Sequence, residues 1–117
     1  MILSLINGLD FLLLLDIFKI MASRVLFVVY DNGSYDNEFP MGVAALSAVL
    51  KKEGHEITIW NQDIHHYPDD SLTDYLDKNK FDVVIMSLIA GYYQYQKMKN
   101  LSKAINRSKQ RPFYMMG

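Results

Sequence analysis

From residue 24 to the end of the chain, short apolar runs alternate with stretches of helical period, the pattern of a parallel sheet joined by crossover helices. VLFVVY (residues 25–30) is a near-continuous run of strand formers, as expected of a central strand covered on both faces. A polar loop over residues 31–42, ending in Pro40 and Gly42, leads into a helix whose apolar positions Val43, Leu46, Val49 and Leu50 predict a face packed on the sheet. Gly54 stops that helix, and EITIW (residues 56–60) gives the second strand. Residues 63–70 read as a polar connection, after which Ser71 and Asp74 have capping-box spacing ahead of a short helix carrying Leu72, Tyr75 and Leu76. DVVIMSL (residues 82–88) is the second fully apolar strand. Tyr95, Met98, Leu101, Ala104 and Ile105 then trace one face of a long helix closed before Pro112, and FYMM (residues 113–116) begins a fourth strand.

Right-handed crossovers leave few ways to assemble four such strands. With the order of the commonest small open sheet among them, they predict a flavodoxin-like, Rossmann-like α/β domain over residues 23–117, a three-layer sandwich with a parallel sheet of order 2-1-3-4. The commonest small sheet of this kind has a fifth strand. Without it the fourth would be an apolar edge, so the expectation is a domain incomplete at its C-terminus, a fragment of a longer chain. Ligands of such sheets sit beyond the carboxyl ends of the strands where the order reverses, here between strands one and three. The loops at that place are residues 31–42 and 87–95. Gly42 would let a flat ligand approach the backbone, and Ser87, Ala90 and Gly91 followed by Tyr92 and Tyr93 would make a slot with aromatic walls. The plainer alternative is that Pro40 and Gly42 only shape a turn and the tyrosines only cover a helix start.

Composition narrows the partners. At 117 residues with 50% apolar content the chain is one domain with a real core, and 12 basic against 13 acidic residues offer no field for nucleic acid or an acidic membrane. The absence of cysteine removes disulfides, thiolate metal sites and cysteine nucleophiles, and fits a cytoplasmic protein. Residues 1–22 differ in composition. Asp10, Asp16 and Lys19 interrupt their apolar run, so they are expected as an apolar extension or accessory helix, with a membrane anchor as the less favoured alternative.

Several chemistries fail on the residues they need. No glycine fingerprint for phosphate follows the first strand. A phosphoacceptor receiver would want an aspartate where Met86 and Ser87 stand. The acidic loop bearing Asp31, Asp36 and Glu38 lacks calcium-loop spacing, and Ser87 has no identifiable histidine partner. Asp63, His65, His66, Asp69 and Asp70 crowd one segment, but adjacent histidines usually point apart, which argues against a zinc or nickel site. The residues alone show no catalytic constellation.

The ordered marks RVLFVVYDN, FPMGVAALSAVLKKEGHEITIW, FDVVIMSLIAGYYQYQKMKNLSKAI and RPFYMMG resemble the N-terminal cobalamin-binding domain that precedes the core of cobalamin-dependent radical S-adenosylmethionine enzymes. The resemblance covers residues 24–117. It rests on the Pro40-x-Gly42 turn, L-x-x-x-G-H-E from Leu50 to Glu56, D-V-V-x-x-S from Asp82 to Ser87, and the terminal Gly117. It implies a metal-binding cofactor, a corrinoid, lying on the carboxyl edge. Pro40, Met41 and Gly42 would face the ring, Ser87, Leu88 and Ile89 would line a groove for the nucleotide tail, and Gly117 would sit at the next loop. Tyr92 joins this set from the loop geometry above. Methyltransferases that resemble this fold carry D-x-H-x-x-G after strand one, whose histidine ligates cobalt; that loop here has no histidine, so the cobalt is expected to take none from this chain. The three cysteines that hold a [4Fe–4S] cluster for S-adenosylmethionine cleavage are also missing, so that chemistry would belong to a radical core following in cis. A non-enzymatic α/β binding or interaction module without corrinoid is the alternative.

Overall fold

The computed structural model describes residues 24–33, 39–86, 92–110 and 112–116. The expected extension over residues 1–22 lies outside them. β1 (Arg24–Val29), β2 (Glu56–Asn61), β3 (Val83–Met86) and β4 (Phe113–Met116) form one parallel sheet in the order β2-β1-β3-β4. The helices among the described residues are α1 (Met41–Lys52), α2 (Gln62–His65), α3 (Asp69–Lys78) and α4 (Tyr92–Asn106). The strand order is the predicted one, and the architecture is the flavodoxin-like three-layer sandwich.

β1 is central because it is apolar on both sides. Val25 lies opposite both Ile57 and Val83, and residues 25–29 are all buried. Val25, Phe27 and Val29 pack with Val43 and Leu50 of α1 on one face, together with Val83, Ile85 and Met115. Leu26 and Val28 pack on the other face with Leu72 and Leu76 of α3 and Met98, Leu101 and Ile105 of α4. Each such side chain contributes about 1.5–3 kcal/mol on leaving water. The edge strands are half covered: β2 has no fully buried residue, and in β4 Met115 is buried while Phe113 is 54% exposed.

Local chemistry sets the ends of the elements. Glu53 and Gly54 close α1 in a Schellman turn, with Gly54 N–H donating to the Lys51 carbonyl (3.1 Å) and His55 N–H to the Leu50 carbonyl (3.1 Å). Gly54 has φ +94°, a backbone that L side chains rarely adopt. The backbone of His55 thus satisfies the helix end. Asp82 sets the amino edge of the sheet. Its Oδ2 accepts from Arg24 N–H (2.9 Å), its own N–H donates to the Arg24 carbonyl (2.9 Å), and its carbonyl accepts from Phe113 N–H (3.1 Å).

Four details depart from the sequence expectation. The connection over residues 63–70 contains the one-turn helix α2, nucleated by Asn61, whose side chain accepts from Asp63 N–H (3.0 Å) and Ile64 N–H (3.2 Å). α3 begins at Asp69 and not at the Ser71 capping box, because Pro68 sets the entry and Asp69 and Asp70 already place two carboxylates at the positive helix end. Val49 is exposed, since Val43, Leu46 and Leu50 alone make the stripe that reaches the sheet. Tyr95 is exposed as well, its ring under the Lys99 ammonium at 5.7 Å and not in the core. No helix among the described residues is long and apolar enough to cross a membrane.

Candidate functional site

The parallel order places the ends of β1, β2 and β3 along one carboxyl edge, with β1 and β3 adjacent where the order reverses. Two of the predicted loops meet this edge: the one after β1, described at residues 31–33 and 39–40, and the one after β3, whose residues 87–91 lie outside the described residues. Ser87, Leu88, Ile89 and Gly117 of the predicted set therefore fall outside as well. Tyr92 is the first residue of α4, so the helix starts three residues before the predicted loop would end.

Pro40, Met41 and Gly42 are where the sequence places them, at the start of α1. Pro40 is the N-cap in extended conformation and its carbonyl accepts from Ala44 N–H (3.1 Å), with no side-chain cap. The first turn carries no acidic side chain, which leaves the positive end of α1 without a carboxylate of its own. Met41 is 82% exposed and Phe39 41% exposed, so two large apolar side chains face water beside that helix end. Among the described residues, a Cβ built on Gly42 would meet nothing within 4 Å.

The start of the same loop is held firmly, and from an unpredicted direction. Asn32 N–H donates to Oδ1 of Asp63 (2.8 Å), a side chain that α2 buries. Asp31 accepts from Gly33 N–H through Oδ1 (2.8 Å) and pairs through Oδ2 with Nδ1 of His66 (2.9 Å). His66 ends α2 in the left-handed region, φ 54°, and that turn aims its ring back across the end of β1. Burial pushes the Asp31 carboxyl up, but hydrogen bonds from His66 and Gly33 and the charges of His66 and Lys97 outweigh it and hold the group below its ordinary value.

The crowded segment after β2 disperses its polar groups among separate partners. His65 stacks on Tyr67 (5.0 Å between ring centres) while His66 turns to Asp31, so the adjacent rings part as expected. Asp69 accepts from Gln62 Nε2 (3.1 Å), and Asp70 pairs with Arg107 (2.7 Å). No group of three metal-ligating side chains gathers among the described residues. Beneath this segment Trp60 lies 4.8 Å from Tyr67 and 4.8 Å from Tyr75, and its Nε1 donates to the buried Gln62 (3.2 Å). That aromatic stack fixes the path by which the chain leaves β2 at the carboxyl edge and enters α3. Between the start of α3 and the C-terminal half of α4, a polar groove of about 290 Å³ is lined by Pro68, Asp69, Asp70, Asn100, Lys103 and Arg107.

The Asp31–His66 and Asn32–Asp63 contacts were missed because they join residues more than 30 apart in sequence. The one local signal was Asn61, a helix-capping residue just before Asp63. No protein-family model matches the chain, and no curated protein or solved structure matches it.

Proposed function

We propose that this chain is a cytoplasmic cobalamin-binding domain that presents its cofactor to a radical S-adenosylmethionine core beyond Gly117. One observation carries the reading: at the switch-point edge of a β2-β1-β3-β4 sheet, the start of α1 turns an apolar, uncapped surface to solvent. A flat macrocycle bearing amide groups suits that surface. Phe39 and Met41 offer apolar contact, Gly42 offers close approach, and the first-turn N–H groups of α1, without a side-chain cap from Pro40, offer donors. When bound, a corrinoid supplies a cobalt that exchanges alkyl groups or single electrons. Pro40, Met41 and Gly42 would hold the ring; by the resemblance described above Ser87, Leu88 and Ile89 would line the tail groove and Gly117 would sit at the next loop, and Tyr92 joins them from the loop geometry. S-adenosylmethionine and the [4Fe–4S] cluster belong to the core in this reading, since the chain has no cysteine to hold them.

The test is reconstitution with cobalamin followed by desalting and visible absorption. A corrinoid spectrum that survives desalting is the expected result. Gly42→Leu is expected to abolish it without unfolding the protein, because nothing within 4 Å of that position obstructs the start of a side chain. Unchanged retention in this variant would remove Gly42 from the site. A second reading is a non-enzymatic interaction module, favoured by the exposure of Phe113 on β4. A spectrum lost entirely on desalting would leave that reading in place of the first.

A further inference from the structure

Among the described residues the two faces of the sheet are covered unequally. On one face α3 and α4 lie together, sending Leu72, Leu76, Leu101 and Ile105 into the core. Of the described helices longer than one turn, only α1 packs on the other face, and of the four strands it approaches β2 most closely. Residues paired across a parallel sheet share a face, so Val25, Val83 and Phe113 lie in one row there and Phe27, Ile85 and Met115 in the next. A helix is about 10–12 Å across with its side chains, while four strands at a spacing of about 4.8 Å make a sheet about 19 Å wide. One helix near β2 therefore cannot roof β3 and β4. Yet Val83, Ile85 and Met115 are buried, while Phe113 at the amino end of β4 is 54% exposed. The described residues that pack with these three belong to neighbouring strands and to α1.

Buried apolar side chains on that half of the face call for a second covering element. Outside the described residues stand two five-residue pieces of the loops after β1 and β3, the single positions 111 and 117, and residues 1–23. Only the last stretch is long enough to cross a sheet. Its sequence carries the matching pattern. Ile2, Ile6, Leu9, Leu13, Ile17 and Ile20 recur at spacings of three and four, the uninterrupted apolar stripe of a helix, and Asp10, Asp16 and Lys19 all fall off it. A helical run from Leu9 to Ile20 spans about 17 Å, against about 13 Å for the four-residue strands β3 and β4. From Ile20 to Arg24 the chain reaches at most about 14 Å. The stripe must therefore end beside the amino end of β1, and β3 pairs with β1 one strand spacing away, about 4.8 Å.

We infer that residues 1–22 dock back on the chain's own sheet, laying the stripe from Ile2 to Ile20 across β3 and β4 as the second helix of the α1 face. The segment is then an intramolecular roof and not a membrane anchor. Asp10, Asp16 and Lys19 keep their contact with water, which a bilayer would deny them. The inference stands apart from the cofactor reading, since it concerns the face of the sheet and not its carboxyl edge.

The experiment replaces Phe113 of the full chain by p-benzoylphenylalanine, whose larger ring an exposed position accommodates. An equal mixture of ¹⁴N and ¹⁵N chains is irradiated, digested and read by peptide mass spectrometry. The benzophenone bonds to whatever C–H group lies over that end of β4. The expected result is a cross-link to residues 13–21 in pairs of one isotope, both light or both heavy. Mixed pairs would place a second copy on this face, and cross-links confined to α1, or none, would leave residues 1–22 off it; each overturns the inference. So does recovery of the whole chain in the membrane fraction. Leu13→Asp, on the stripe, should abolish the cross-link, and Leu15→Asp, off the stripe, should leave it in place. Equal loss in the two variants would overturn the stripe and the inference with it.

Discussion

Replacing glycine by alanine at positions 42 and 54 should change stability in opposite directions, because a Cβ meets nothing within 4 Å at either site and only the backbone distinguishes them. Gly54 sits at φ +94° in the Schellman turn that ends α1. Holding alanine in such a conformation costs about 1–3 kcal/mol. The stiffer unfolded chain returns about 0.4–1 kcal/mol, so Gly54→Ala should destabilise by about 1–2 kcal/mol net. Gly42 lies inside the first turn of α1 with no left-handed backbone, so Gly42→Ala should stabilise by about 0.4–1 kcal/mol. In thermal unfolding, each kcal/mol corresponds to a shift on the order of 4–8 °C. Urea and thermal unfolding of the two variants beside the parent protein read this difference directly. A neutral Gly54→Ala would mean that the turn is not formed as described, and a destabilising Gly42→Ala would mean that Gly42 serves the fold and is not kept open for something else.

Two more predictions concern the loop after β1. Asp63→Ala removes the acceptor of Asn32 N–H, and should cost about 1–3 kcal/mol in urea unfolding, with faster amide exchange at residues 31–33; a change near zero would show that water replaces the contact. The Asp31 carboxyl ionises more readily folded than unfolded, so the folded state binds fewer protons, and its contribution is present above the ordinary aspartate value of 3.8 and lost as pH falls through the lower folded value. Asp31→Asn should therefore flatten the loss of unfolding free energy as pH falls below 3.8, and an unchanged slope there would refute the pairing with His66.

The sheet was legible because its signal is local and strong. β1 and β3 are runs of strand formers with no polar interruption, and a strand buried on both faces must read that way. The handedness of crossovers leaves few arrangements, and the order β2-β1-β3-β4 is that of the commonest small open sheet among them. Helix faces were legible to within a residue or two: Val43 and Leu50 were placed correctly, while Val49 and Tyr95 were not, since apolar character alone does not say where the stripe ends. The candidate site was legible only where it is contiguous. Pro40, Met41 and Gly42 share one turn and could be read together. Asp31 and His66 stand 35 residues apart, and nothing near either names the other. Their meeting depends on a one-turn helix, α2, that is too short for any hydrophobic period and rests on one capping asparagine.

The chain contains one tryptophan, and its surroundings make it an optical probe that needs no label. Trp60 lies within 4.8 Å of both Tyr67 and Tyr75, and one residue beyond it Asn61 starts the helix that ends at His66. Light absorbed by the neighbouring tyrosines should pass to this indole, so its emission reports whether the corner after β2 is assembled. A coloured ligand on the carboxyl edge, absorbing where the indole emits, should dim that emission in proportion to occupancy. Binding at the edge and melting of the corner then become separable in one cuvette: the first lowers intensity at constant wavelength, and the second shifts the emission to the red as water reaches the ring.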